Sequence, residues 1–203
     1  MCFDMMRQGN LFANGSGGAP PLAGLRLVED AITARMEAGL ADRIDAAPLA
    51  PFRFQRWEGK RLTAHYGRAY DHEKGVQVEA DPLPGWLLEL RATLASLLGT
   101  AERDWAQALL IRYDPGAGIG WHRDRPIYGR IMGLSLGAPA VMRFRRRLSA
   151  APGEGERARF ARLSVTLPPR SLYLLEGAAR QDWEHSIAPM EVTRRSITFR
   201  TLR

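Results

Sequence analysis

The sequence predicts an α+β fold in which helices come first and short strands then form a sandwich or jelly roll. Two observations predict it. Before residue 100 the apolar residues recur at helical spacing; beyond residue 105 they alternate with a period of two between turn-like breaks. A length of 203 residues is that of one domain with room for a proper core.

In chain order, residues 8–24 (QGNLFANGSGGAPPLAG) are rich in Gly, Ala and Pro, which predicts a flexible arm over 1–24 and a single domain over 25–203. Val28, Ile32, Met36, Leu40 and Ile44 recur every four residues and predict a helix. PLPGWLLELRATLASLLG predicts a second helix over 82–99, with Pro near its start and Gly99 at its end. Both stripes read as faces packed on a core. QALLIRY (107–113) is strand-like and leads into the turn DPGAG (114–118). RIMGLSLG (130–137) puts Met132, Leu134 and Leu136 on one face, and RLSVTLP (162–168) does the same with Leu163, Val165 and Leu167. SLYLLEG (171–177) and RSITFRTL (195–202) complete the strands.

Apolar residues at 45% and charged residues at 25% are those of an ordinary globular protein. The charge is less ordinary: +7 overall, with lysine only at Lys60 and Lys74, so arginine carries nearly all of it. The guanidinium fork suits phosphate and carboxylate, which predicts an anionic partner; an arginine-rich codon bias on solvated faces explains the composition equally well. Cys2 stands alone, which excludes an internal disulfide or a cysteine-built zinc cage. The start, MCFDMMRQGN, lacks a basic segment followed by an apolar run, and no stretch approaches the roughly 18 apolar residues of a membrane span. The expectation is a cytoplasmic, monomeric protein without a membrane partner.

The stretch GIGWHRDRP (118–126) carries the first chemistry. In a strand, residues i and i+2 point to the same side, so His122 and Asp124 can aim an imidazole and a carboxylate at one point, with Arg123 opposite. Alone, the pair fits a polar strand end as well as a metal site. His185, in DWEHSI before the last strand, is a candidate third ligand, because a jelly roll sets distant strands side by side. Two histidines and a carboxylate describe the facial triad of non-haem Fe(II) oxygenases; for His185 by itself a satisfied core or surface histidine competes. In RRSITFR (194–200), Arg194, Ser196, Thr198 and Arg200 share one face, and Arg195, Ile197 and Phe199 the other. Two arginines facing a barrel interior are costly without anions, and a bound dicarboxylate would supply them. A terminal edge strand with its arginines in solvent is the alternative.

Together, HxD at His122 and Asp124, the distal His185 and R-x5-R at Arg194 and Arg200 resemble the AlkB-type Fe(II)/2-oxoglutarate dioxygenases. IRYDPGAGIGWHRD is similar to that family's strand–turn–ligand segment, GRIMGLSLGAPAVMRFRRR to its following strands, and RLTAHYG (61–67) to the substrate-lid segment of repair members. The resemblance covers roughly residues 50–203. It implies a double-stranded β-helix core over about 105–203, with N-terminal helices packed against it and a substrate lid over about 50–80. It further implies Fe(II) held by His122, Asp124 and His185, which would be the catalytic centre. Arg194 would hold the distal carboxylate of 2-oxoglutarate, Arg200 would lie near its chelating end, and Tyr113 and Ser196 would add hydrogen bonds. In such enzymes O2 and 2-oxoglutarate are consumed, succinate and CO2 are formed, and an N-methyl group on a DNA or RNA base is oxidised and lost as formaldehyde. Alternatives are the same chemistry on a protein or small molecule, and a non-catalytic nucleic-acid-binding jelly roll. Two departures bear on the substrate: Arg125 and Pro126 stand where repair members carry acidic residues, and Ile111 where they carry a cosubstrate-binding asparagine.

Seven arginines between 123 and 147, with Asp124 the only acid, predict a phosphate-binding rim at the site's mouth, for which a solvated strand face is the alternative. A base reaches such a site only out of its stack, which favours single-stranded or damaged nucleic acid. Trp57, Tyr66 and Trp121 are candidates to stack on the base, with Arg61 and Arg125 as further substrate contacts; core packing is the competing reading for each aromatic.

Overall fold

The computed structural model describes residues 22–54, 57–71, 76–148 and 159–203. They form β1 (Leu25–Val28), α1 (Ala34–Asp45), β2 (Ala50–Phe54), β3 (Trp57–Asp71), β4 (Val76–Glu79), α2 (Gly85–Leu98), β5 (Trp105–Tyr113), β6 (Ile119–His122), β7 (Tyr128–Gly137), β8 (Ala140–Arg147), β9 (Phe160–Leu167), β10 (Leu172–Leu175), α3 (Gly177–Gln181), β11 (Glu184–Ile187) and β12 (Arg194–Leu202). A large sheet runs β1-β10-β7-β12-β5-β3-β2, with β4 paired to β3; a small one runs β6-β11-β8-β9. Their pairings are antiparallel, and the chain crosses repeatedly between the two sheets. This is the predicted jelly roll, with both sheets left open.

Period two explains which face each strand gives to which neighbour. On the helix side of the large sheet, Ala108, Leu110, Met132, Leu134, Leu136, Ile197 and Phe199 bury against Leu40, Ile44, Leu87, Leu90 and Leu94 of α1 and α2. Burying one such side chain is worth about 1.5–3 kcal/mol. On the other side the same strands turn Gln107, Tyr113, Ile131, Arg194, Ser196, Thr198 and Arg200 toward a cavity. Strand β5 is therefore covered on both faces, which is why QALLIRY is nearly continuously apolar.

The helices depart from the predicted bounds in instructive ways. Helix α1 starts only after Thr33, whose Oγ1 accepts from the Met36 N–H at 3.2 Å. Val28 belongs to β1 instead, paired with Leu172 at the sheet edge, and Met36 is 40% exposed. A strand, a turn and a helix happen to continue one four-residue spacing. Helix α2 runs as expected to Gly99, which closes it in the left-handed conformation (φ +66°). At the end of α1, Asp45 receives Arg195 Nε at 2.8 Å and Arg112 Nη1 at 3.4 Å, tying the helix to β12 and β5. The hydrogen bonds from Arg195 hold the Asp45 carboxyl below the usual range.

Residues 61–67, within the expected lid, belong to the large sheet: β3 pairs with β5 from Leu62 opposite Arg112 to Gly67 opposite Gln107. Residues 22–24, expected in the arm, are anchored, since the carbonyls of Ala23 and Gly24 accept from Ala179 and Glu176. Residues 1–21 and the Trp57 side chain lie outside the described residues. No described helix is long and apolar enough to cross a membrane.

Candidate metal and cosubstrate site

The cavity between the sheets measures about 940 Å³, the upper range of small-molecule sites. His122, Asp124 and His185 meet in its wall, with one ligand atom of each within 4.8 Å of the others. The cause is strand pairing. His185 on β11 lies directly opposite His122 on β6, and their rings are 4.3 Å apart. Strand β6 ends at His122, so Asp124 is delivered by the following loop, not by strand alternation.

Hydrogen bonds leave one open donor atom on each of two ligands. His122 Nδ1 is 2.9 Å from the Gly120 carbonyl, a bond it makes as donor, which frees Nε2. Arg200 clamps Asp124 Oδ1 through Nε at 3.0 Å and Nη2 at 2.9 Å, leaving Oδ2 facing His185 Nε2 at 3.6 Å. Burial opposes ionisation of Asp124, but Arg200, with the two histidines and Arg180, holds it well below the usual carboxylate range. Burial, reinforced by His122 and opposed by Asp124, pushes His185 down to about 3; burial also lowers His122. Two neutral imidazoles and one carboxylate are the state a divalent metal needs. The donor set fits Fe(II).

Arg200 is itself fixed: its Nη1 donates to Gln107 Oε1 at 2.9 Å, and Gln107 Nε2 lies 3.3 Å from His65 Nδ1. Arg194 marks the deep end of the cavity. It is 1% exposed, opposite Tyr113 in the β12–β5 ladder, with its guanidinium 5.1 Å from that ring. Its Nη2 donates to Ser135 Oγ at 3.1 Å, while buried Nε and Nη1 have no partner among the described residues. A buried guanidinium with two orphaned N–H groups calls for an anion. A carboxylate, such as those 2-oxoglutarate carries, would meet that demand.

Tyr113, Arg194, Ser196 and Arg200 all line the cavity, as do Arg61, Trp121 and Arg125. Arg61 is buried on β3 with its guanidinium 3.9 Å from the Phe52 ring. Tyr66 takes the opposite face of β3 and packs against the helix-side core, because His65 takes the cavity face. Of the arginine run only Arg123 and Arg125 line the cavity. Arg143 and Arg145 turn outward from the small sheet, 5.3 and 4.6 Å from the Trp121 ring, and Arg145 is bound to Glu184 at 2.6 Å. That face engages its own sheet rather than the mouth.

Four contributors escape sequence reasoning. Gln107 and His65 follow the period-two faces of their strands but carry no motif. Tyr173 on β10 lies opposite Gly133 on β7, which lies opposite Thr198 on β12. Only a glycine lets the Tyr173 ring cross the middle strand, since a Cβ at 133 would overlap it. Arg180, on the short α3, donates Nη2 to the carbonyls of Arg125 and Tyr128 at 2.7 and 2.8 Å, pinning the segment after Asp124.

Comparison with known proteins defines the class. A family model described as the 2OG-Fe(II) oxygenase superfamily matches residues 50–200, and the chain belongs to that superfamily. The mouse tRNA (carboxymethyluridine(34)-5-O)-methyltransferase ALKBH8 is 31% identical over 176 residues, covering 84% of this chain but 24% of its own length. The zebrafish probable RNA/DNA demethylase ALKBH6 is 27% identical over 172 residues, covering 83% of this chain and 70% of its own length. The solved structure of OsALKBH1 superposes with a TM-score of 0.59 at 12% identity, covering 88% of this chain and 96% of that one. The chain thus spans about a quarter of the mouse relative. That superfamily's cofactor and cosubstrates are Fe(II), 2-oxoglutarate and O2, and AlkB homologues are among the relatives this chain is similar to.

Proposed function

We propose that this enzyme oxidatively demethylates N-alkylated bases in DNA or RNA. The observation that carries the reading is the Arg194 guanidinium, two of whose buried nitrogens lack a partner among the described residues, in the same cavity as the His122–Asp124–His185 cluster. The names of relatives, a probable RNA/DNA demethylase among them, support the nucleic-acid substrate.

In this reading His122, Asp124 and His185 would hold Fe(II), which would supply O2 activation at the expense of 2-oxoglutarate. Arg194 pairs with the distal carboxylate, and Tyr113 and Ser196 beside it help orient that end. Arg200 keeps Asp124 ionised and leaves its other oxygen free to bind the metal. Ile111, Leu109 and Ile131 line the same wall without polar atoms and exclude water from the reacting centre. Trp121, Arg61 and Arg125 are the residues available to the entering base, with Arg123 and Arg125 near its phosphates.

The test is formaldehyde release, coupled to Fe(II)-dependent succinate formation, from methylated single-stranded oligonucleotides set beside methylated peptides. Release from oligonucleotides supports the proposal. Release from peptides alone would assign the same chemistry to another substrate.

A further inference from the structure

The charge of the cavity wall limits what can occupy it. Arg61, Arg180, Arg194 and Arg200 are all buried. Among the described residues that line the cavity they face one carboxylate, Asp124. That carboxylate is already clamped by Arg200 at 2.9 Å. Arg123 adds positive charge on the same lining. Loading the site does not remove the excess, because a divalent metal and a dianionic cosubstrate cancel each other. The carbonyls that accept from Arg180 satisfy its hydrogen bonds but not its charge, and the Phe52 ring offsets only part of that of Arg61. Burial disfavours the charged form of both, so each gains from a nearby anion and loses from a further cation.

The same lining carries the apolar Ile131, Met142, Leu175 and Ile187, which offer no compensating charge. A group entering there meets uncompensated positive charge and hydrocarbon, with no second carboxylate among the described lining residues. Resting on the nucleic-acid reading above, we infer that this site selects uncharged N-alkylated bases over cationic ones. One uncompensated charge about 10 Å away at an effective dielectric of about 20 corresponds to roughly tenfold discrimination.

Two single-stranded oligonucleotides test this, identical except for 3-methyluracil, which is neutral, or 3-methylcytosine, which is cationic at neutral pH. Both carry the methyl on the same ring nitrogen. The kcat/KM for formaldehyde release is measured with Fe(II), and Kd by fluorescence anisotropy with Mn(II) and 2-oxoglutarate. The expected result is a preference of about tenfold or more for 3-methyluracil in both readouts, reduced severalfold in Arg61→Gln. Equal treatment or a preference for 3-methylcytosine overturns the inference while leaving nucleic acid as the substrate. An enzyme that turns over 2-oxoglutarate yet neither binds nor demethylates either strand overturns the inference together with the substrate class.

Discussion

Replacing Arg194 with methionine should weaken 2-oxoglutarate binding without weakening the unliganded fold. The side chain is buried, and two of its three guanidinium nitrogens lack partners, so the protein alone gains little from the charge. In the proposed function those nitrogens would make charge-assisted hydrogen bonds to the bound cosubstrate, each worth about 1.5–3 kcal/mol. Loss of one such bond raises Kd by about 10- to 150-fold. At 2-oxoglutarate equal to 100 times the wild-type Kd, ligand stabilises the wild type by about 2.7 kcal/mol. A variant with a hundredfold weaker Kd would gain only about 0.4 kcal/mol at the same concentration. Urea unfolding with Mn(II), with and without 2-oxoglutarate, reads both numbers, and Arg194→Lys should recover only part of the difference. A methionine variant that still gained the full stabilisation would remove Arg194 from the cosubstrate site.

Three further outcomes follow from the packing and the charges. Gly133→Ala should destabilise by about 1–3 kcal/mol, because its methyl overlaps the Tyr173 ring, and Tyr173→Leu in the same chain should recover most of that in thermal unfolding. Arg200→Gln should lower Mn(II) affinity about tenfold by calorimetry, since it removes the clamp that orients Asp124. Asp45→Asn should cost about 0.5–1 kcal/mol at pH 7, the scale of a half-exposed pair. The folded-state carboxyl titrates below its unfolded value, so this contribution is present above about pH 4 and is lost as pH falls through the lowered value. Parallel denaturation curves of the two proteins should therefore converge in acid.

The site was legible where chemistry followed a local period. The even spacing of Arg194, Ser196, Thr198 and Arg200 assigned them one face, and all four line the cavity. The two histidines were readable as candidates, but their opposition in the β6–β11 ladder is a long-range pairing that no local pattern encodes. The same limit hid the Tyr173–Gly133–Thr198 row, which exists only once three strands distant in sequence lie side by side. Alternation was present in RLTAHYG too, with Arg61, Thr63 and His65 on one side. It makes the segment a strand of the large sheet and turns Tyr66 away from the cavity. The arginine run misled for a different reason. Charge composition says nothing about direction, and Arg143 and Arg145 find Trp121, Ser186 and Glu184 on their own sheet. Arg180 had no local signal; its role comes from two backbone carbonyls that the fold brings to it.

Metal titration tests the central claim most directly. Mn(II) added to the purified protein, followed by calorimetry in the presence of 2-oxoglutarate, should show one site per chain. His122→Ala, Asp124→Ala and His185→Ala should each abolish it while circular dichroism shows the fold retained, because each removes one of the three ligands the cluster offers among the described residues. A folded variant of any of the three that still bound one Mn(II) with wild-type affinity would contradict the assignment of the metal to this cluster.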